Sequence, residues 1–343
     1  MTYVLKPETR AQLLASVQKI PRVGAVLVVG DVNLDEYVIG QATRMSREAP
    51  IPVLELTSRQ FIAGGAGNPA ANITALGAKA VQVGVIGQDA HADILRETLT
   101  AKQIDISGLI VDPTRPTAVK TRIMAHMGLR FPQQVARVDT LSREMISQTV
   151  LDQTVQAIQN HVQTACAVLF SDYRSGMITP QLVQDVKQAL NGTAVLLTAD
   201  AQGELEKYQG FDLVKCNADE ARQALGRSLH TDEEFASAAQ DLCQALALRR
   251  AMVITRGSDG MTIGYRDGDN TAVIQSRALK TVEVYDVVGA GDTTIAVLTL
   301  ALCAGIPILE AAQLANFASG LVVQRVGNYT PSLDELMQVI QAY

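Results

Sequence analysis

The sequence predicts an α/β fold in which a mainly parallel central sheet carries helices on both faces, with a small second β-sheet as a lid. Three observations carry this reading. Short β-branched runs alternate with amphipathic stretches of helical length. No internal period and no low-complexity linker divides the 343 residues, so one domain spans 1–343. Two segments break the rhythm with strand-like alternation and no helical pattern.

Along the chain, the first twenty residues mix acidic and basic side chains through an amphipathic pattern and contain no unbroken apolar stretch. They fit neither a signal peptide nor a membrane span, and a cytoplasmic protein is expected. Core strands are predicted at "AVLVVG" (25–30), "VQVGVIG" (81–87), "CAVLF" (166–170), "AVLLTA" (194–199), "FDLVKC" (211–216) and "AMVITR" (251–256). Amphipathic helices are predicted over 142–160, 179–190 and 232–249. Residues 36–61 and 117–139 are the rhythm-breakers. They are expected to pair as a β-lid over a ligand site, and as a surface on which two subunits pair into a homodimer.

Hydrophobic residues make up 48% of the chain and charged ones 19%, enough apolar surface for a large core. A formal charge of −6 without any Lys/Arg run argues against nucleic acid or an anionic membrane as partner and points to a small molecule. Cys166, Cys216, Cys243 and Cys303 are scattered without a C-x-x-C pair and are read as reduced core residues. The four histidines show no spacing that would place two imidazoles on one helix face, so no transition metal is assigned.

Four stretches hold candidate chemistry. "GGAGNPAANITALGA" (64–78) contains Gly65-x-Gly67-x-x-Ala70, which matches a dinucleotide fingerprint but does not close the first strand, where such a fingerprint belongs. Its Gly64, Gly65, Asn68 and Asn72, with Asp31, Asn33 and Asp35 after the first strand, suit a polyhydroxylated ligand, because carboxylates and amides exchange hydrogen bonds with hydroxyls. Turn glycines with Asn caps explain the same residues structurally. "NADE" (217–220) puts Asn217 at a strand end with Glu220 three residues on, either a capping box or water ligands for magnesium. "TRGSDG" (255–260) ends a strand with Thr255, Gly257 and Gly260, a plain turn or a phosphate-facing one. In "DVVGAGDTTIAVLTLALCAG" (286–305), Asp292 stands at the mouth of a helix apolar nearly all round, and the Gly289-Ala290-Gly291 turn offers backbone N–H groups to an anion. Helix capping by Asp292 is the structural alternative.

In their order along the chain these four stretches resemble the ribokinase-like (PfkB) family of carbohydrate kinases over nearly the whole length. The resemblance implies Asp292 as the base that deprotonates an acceptor hydroxyl, with Gly289, Ala290 and Gly291 stabilising the transferring phosphoryl group. It implies Asn217 and Thr255 to Gly260 near ATP, Asn316 near the adenine, Glu220 acting on Mg2+ through water, and Asp286 with Val288 around a monovalent cation such as K+. With few aromatics, the adenine is expected between aliphatic walls. Within the family, "GDVNLDEY" (30–37), "RMSREAPIPV" (44–53), "RPTAVKTRI" (115–123), "QQVARVD" (133–139) and "SDYRSG" (171–176) are similar to the kinases that phosphorylate the anomeric hydroxyl of a heptose 7-phosphate. Those kinases carry lysines where this chain has Ser175 and Gln202, and an arginine where it has Glu36; residues 127–132 read as an insertion. Arg44, Arg47, Lys120 and Arg122 are the cations expected to compensate, with Arg44 and Lys120 on the substrate. No H-x-G-H motif occurs, so no fused nucleotidylyltransferase is expected. A catalytically idle sugar-sensing relative, a kinase of an unphosphorylated sugar and a dinucleotide-dependent oxidoreductase are the competing readings.

Overall fold

All residues of β1 (Ala25–Gly30) are buried, and strand alternation sends them to two places. Val26 and Val28 enter the core on one side of the sheet, Leu27 and Val29 the core on the other. The continuous apolar run at 25–30 is therefore the signature of a strand covered on both faces.

The computed structural model describes residues 5–128, 132–278, 284, 286–325 and 327–343. Before β1 lies α1 (Pro7–Val17). After it come β2 (Val32–Met45), β3 (Pro52–Gly65), α2 (Gly67–Ala75), β4 (Ala80–Ile86), α3 (Ala90–Ala101), β5 (Asp105–Val111), β6 (Val119–His126) and β7 (Gln133–Thr140). The chain continues through α4 (Gln148–His161), β8 (Ala165–Ser171), α5 (Pro180–Ala189), β9 (Leu196–Asp200), β10 (Leu213–Asn217), α6 (Ala218–Leu225), α7 (Asp232–Ala245) and β11 (Ala251–Thr255). The hairpin β12 (Met261–Asp267) and β13 (Asn270–Ser276) precedes α8 (Ala290–Cys303), α9 (Ile308–Val322) and α10 (Leu333–Ala342).

Nine strands form the main sheet in the order β13-β12-β11-β10-β9-β8-β1-β4-β5, parallel from β11 to β5. Only the β12–β13 edge is antiparallel. One face packs under α1, α2, α3, α8, α9 and α10, the other under α4, α5, α6 and α7. This is the α/β class the sequence predicts. The predicted helix at 142–160 starts only at Gln148, where the Ser147 hydroxyl caps the Val150 N–H, and the one at 232–249 stops at Ala245. The edge hairpin was not anticipated.

The second sheet, in the order β3-β2-β6-β7, is the small sheet expected from the two alternating segments and proposed as a lid; its first strand begins earlier, at Val32. β2 leaves the carboxyl end of β1 after the single residue Asp31, and β3 returns to feed α2. Of the 127–132 insertion, residues 129–131 lie outside the described residues. Among the described residues no helix is long and apolar enough to cross a membrane.

Candidate active site

The carboxyl ends of the parallel strands supply the site, as open α/β sheets require. β1 leads into Asp31, β8 leads into Tyr173, β9 ends at Asp200, β10 holds Lys215 and Asn217, and β11 ends at Thr255. Facing them is the start of α8. Its N-cap, Gly289, has φ 83°, a left-handed backbone that glycine adopts without penalty. No side chain caps this end. The Ala290 N–H is already directed at the Val287 carbonyl, 3.3 Å away, so of the predicted trio only Gly289 and Gly291 have N–H groups without such a bond among the described residues.

Asp292 is held at both oxygens. Asn68 Nδ2 donates to Oδ2 at 2.7 Å and the Tyr173 hydroxyl to Oδ1 at 2.6 Å. Burial, reinforced by the Asp200 charge, pushes its carboxyl up to about 6 against the opposing pull of Tyr173, Asn68 and Lys215. Burial and the Asp292 charge in turn raise the Tyr173 phenol well above its ordinary range, so it stays a donor. Lys215 is buried at 5% exposure, bonds Asp200 Oδ1 at 2.6 Å, and its Nζ lies 3.1 Å from where a Cβ on Gly291 would sit. Burial opposes its charge, but the Asp200 carboxylate, joined by the charges of Asp292 and Glu220, holds the ammonium above its usual range.

The predicted hydroxyl-binding residues converge at the lid root. Asn33 Nδ2 donates to Asp35 Oδ1 at 3.3 Å, and Asp35 also accepts from Arg122 Nη1 at 2.6 Å and Asn328 Nδ2 at 2.9 Å. Side chains on Gly64 and Gly65 would meet Asp35 Oδ2 at 2.3 Å and Asn33 Oδ1 at 2.6 Å, so these glycines exist for close approach. Asp31 accepts the Tyr173 and Ser175 N–H groups at 2.9 and 3.0 Å, and burial outweighs those bonds to raise its carboxyl. It therefore positions the 173–175 loop. Asn72, read as a ligand for hydroxyls, is instead fully buried and accepts the Thr293 hydroxyl at 2.8 Å, tying α2 to α8.

Beside the α8 N-terminus lies a cavity of about 620 Å³ lined by Thr255, Gly257, Gly260, Gly291 and Asn316 together with aliphatic Met261, Val284, Val287 and Val323. Among the described residues its walls carry no aromatic ring. Asn316 Nδ2 donates to Ser276 Oγ and the Arg277 carbonyl, leaving its oxygen uncommitted by these bonds. Asn217 and Glu220 form the capping box of α6, with the Asn217 N–H bonded to Glu220 Oε2 at 2.6 Å and the Glu220 N–H to Asn217 Oδ1 at 2.9 Å. Burial raises the Glu220 carboxyl, opposed by the Asn217 N–H and by the charge of Lys215. The Asp286 carboxylate accepts the Val288 N–H and the Gly327 N–H, each at 3.0 Å.

The predicted cations part company. Lys120 stands at the root, its Nζ 5.2 Å from the Tyr173 ring centroid. Arg122 is committed to Asp35. Arg44 and Arg47 are exposed; Arg44 lies about 30 Å along β2 from Asp35 at ~3.3 Å per residue, so the fold does not bring it to the site within one chain. Glu36 does not leave a bare negative charge, because Arg59 pairs with it at 3.2 Å and Thr121 donates to it at 2.6 Å. Ser175 and Gln202 do lie on neighbouring loops: Arg174 Nη1 would be 3.5 Å from a Cβ on Gly203. Lys215, Asp200, Tyr173 and Asn328 were not picked out as site residues. A lone lysine inside the buried strand "LVKC" was the one signal available; the others meet only in three dimensions.

A lifted carboxylate at a helix N-terminus, with a nucleotide-sized cavity on one flank and a polar floor on the other, defines a phosphotransferase of small hydroxylated molecules. The chain belongs to the pfkB family of carbohydrate kinases, whose profile matches residues 24–335. It is a sugar kinase by that membership. It is 37% identical over 315 residues to the "Bifunctional protein HldE" of Geotalea uraniireducens, covering 92% of this chain and 62% of that protein. A Caulobacter protein of the same name is 38% identical, covering 93% and 64%. The chain thus spans under two thirds of the length of these relatives. Among solved structures, Arabidopsis thaliana ribokinase complexed with ribose and ATP superposes with a TM-score of 0.71 at 22% identity, covering 93% of this chain and 99% of that one. Escherichia coli phosphofructokinase-2 with substrates and products gives 0.75 at 18%, with the same coverage. These two likenesses concern the fold.

Proposed function

We propose that this chain transfers the γ-phosphoryl group of ATP to a hydroxyl of a sugar or sugar phosphate, with Asp292 as general base, and that its acceptor is the anomeric hydroxyl of a heptose 7-phosphate. The observation that carries the chemistry is the Asp292 carboxylate, lifted to about 6 and fixed by two donors beside an uncapped helix start. The acceptor rests on the sequence motifs and on the similarity to HldE proteins. Asp292 is ionised at neutral pH yet more basic than a free carboxylate. As it takes the acceptor proton, the acceptor oxygen bonds to the γ-phosphorus and the bond to the β,γ-bridging oxygen breaks, releasing ADP. Gly289 and Gly291 N–H groups and the Lys215 ammonium face the charge that builds there.

The 620 Å³ cavity supports adenine binding between aliphatic walls, with Thr255, Gly257, Gly260 and Asn316 around the nucleotide. Among the described residues no three His, Cys, Asp or Glu side chains gather into a metal cage. Magnesium needs no such cage: one or two carboxylates hold it with water and substrate phosphates. Glu220 would hold it through water beside Asn217, and the ion would offset phosphate charge. The oxygens of Asp286 and Val288 are the donors assigned to a monovalent cation such as K+. Asp31, Asn33, Asp35, Gly64, Gly65, Asn68 and Lys120 are assigned to the acceptor side. The whole chain is read as one cytoplasmic catalytic unit. Its lid exposes Met45, Leu56, Val135 and Val138, which supports pairing of two lids in a homodimer.

A coupled ADP-release assay over phosphorylated and unphosphorylated sugars tests this. Highest turnover is expected with a heptose 7-phosphate. Equal turnover of the unphosphorylated heptose would move the reading to a sugar kinase without phosphate recognition, the alternative that Ser175 and Gln202 favour. No release with any sugar would leave an idle sugar-binding relative, and thermal protection by NAD rather than ATP with Mg2+ an oxidoreductase.

A further inference from the structure

Two carboxylates near the start of α8 are each held by an asparagine. Asn68 donates to Asp292 at 2.7 Å, and Asn328 Nδ2 donates to Asp35 Oδ2 at 2.9 Å. Both asparagines flank one residue. A Cβ on Gly289, the N-cap of α8, would stand 2.8 Å from Asn68 Nδ2 and 3.5 Å from Asn328 Oδ1. The two carboxylates are thus indexed to the same turn.

Asn328 differs from the other donors to Asp35 in where it comes from and where it binds. Asn33 and Arg122 belong to β2 and β6 of the small sheet itself, and both address Oδ1. Asn328 comes from the segment between α9 and α10 and addresses Oδ2. A carboxylate gripped at one oxygen can still pivot about that grip, whereas a donor on the second oxygen fixes its plane. Oδ2 keeps a further lone pair for an incoming hydroxyl. The loop that carries Asn328 is itself anchored on both sides. The Gly327 N–H donates to Asp286 Oδ2 at 3.0 Å, the Tyr329 N–H to the Gly327 carbonyl at 2.8 Å, and the Tyr329 hydroxyl to Glu335 in the capping box of α10.

We infer that Asn328 is a positioning residue: by bridging Asp35 to the Gly289 turn, it sets the acceptor at a fixed offset from the Asp292 carboxylate. The inference rests on the proposed roles of Asp35 at the acceptor and of Asp292 as base. Transfer needs the attacking oxygen within about 3–3.5 Å of the phosphorus, and a misplacement of ~1 Å costs about a hundredfold. The offset therefore decides which hydroxyl of a bound sugar is deprotonated. Asn328 acts on the reaction only through Asp35. Its loss should impair use of the acceptor and spare ATP, because the cavity lined by Thr255, Gly257, Gly260 and Asn316 lies elsewhere.

The test is steady-state ADP release by Asn328→Ala and Asn328→Asp, each checked for folding by circular dichroism. The acceptor is heptose 7-phosphate, or whichever sugar of the panel the wild type turns over fastest. Asn328→Ala should raise the acceptor KM roughly tenfold, as for one lost hydrogen bond to a charged group, and leave the ATP KM within about twofold. Asn328→Asp keeps the shape but sets a second negative charge against Asp35, so it should be worse than alanine by at least about threefold. A packing role gives the reverse order, since aspartate fills the space that alanine leaves empty. An acceptor KM within about twofold of wild type in both variants, aspartate outperforming alanine, or equal rises for both substrates would each overturn the inference and leave the kinase reading standing. A wild type that releases no ADP with any sugar would overturn that reading, and the inference with it.

Discussion

The start of α8 and the outer half of the lid lie on the same molecule under opposite constraints. Around Asp292, polar groups from four separate strands and helices are bonded to one another at 2.6 to 2.7 Å and withdrawn from water. Along β7 every residue is exposed, and the arginines near the tip of β2 have no fixed place at the site. Where several buried partners fix each group, any one loss leaves another unsatisfied, so side-chain identity is tightly specified. Where water is the neighbour, substitution is cheap. On the proposed function, the chemistry of phosphoryl transfer is written into the first region, and the choice of acceptor falls to the root of the second sheet and the loops beneath it, not to its outer half.

The largest test of that contrast is Asp292→Asn, which should cut kcat by about 10²–10⁴ while ATP binding, read by calorimetry, persists. Turnover within threefold of wild type would reduce Asp292 to a helix cap and remove the contrast at its root. Next is Lys215→Met, matched in length but uncharged. A loss of about 10²–10³ in kcat is expected, as for removal of one donor to developing charge, and a change confined to melting temperature would make Lys215 a partner of Asp200 and nothing more.

Smaller effects sharpen the boundary. Introducing Ser175→Lys with Gln202→Lys should favour heptose 7-phosphate over the unphosphorylated heptose in kcat/KM by roughly ten- to hundredfold per contact made. If the wild type already discriminates by several hundredfold, recognition belongs to Lys120 and its neighbours instead. Because the base works ionised, kcat should rise about tenfold per pH unit up to about 6 and then level. Tyr173 stabilises the ionised carboxylate, so Tyr173→Phe should move that limb upward by about one pH unit. An unmoved limb would assign Tyr173 to packing. Arg44→Ala, at the lid tip, should change kcat/KM by less than about twofold in a monomer.

The same contrast explains what could be read before the structure. Strands buried on both faces announce themselves as apolar runs, as at 25–30, and the lid by its alternation. Asp292 was legible because glycines and an apolar helix flank it locally. Tyr173 and Asn328 were not, since each reaches the site from a loop whose direction is set by other residues: Asp31 folds the 173–175 loop through two backbone bonds. Arg44 misled because a cation on a strand gives no hint of its distance along that strand. Capping and water-mediated magnesium binding look alike at Asn217 and Glu220, because both use the same two oxygen-bearing side chains at the same spacing.

β2 runs for 14 residues from its root beside Asp31, about 46 Å at ~3.3 Å per residue. It is in effect a lever whose fulcrum lies at Asp31, Asn33 and Asp35, the residues assigned to the proposed acceptor. A turn of ~5° at the root sweeps the tip through about 4 Å, and by the same ratio anything that grips the tip fixes the root angle to about 1° per ångström of play. The angle of the sheet at its root is therefore set most finely from the tip of β2.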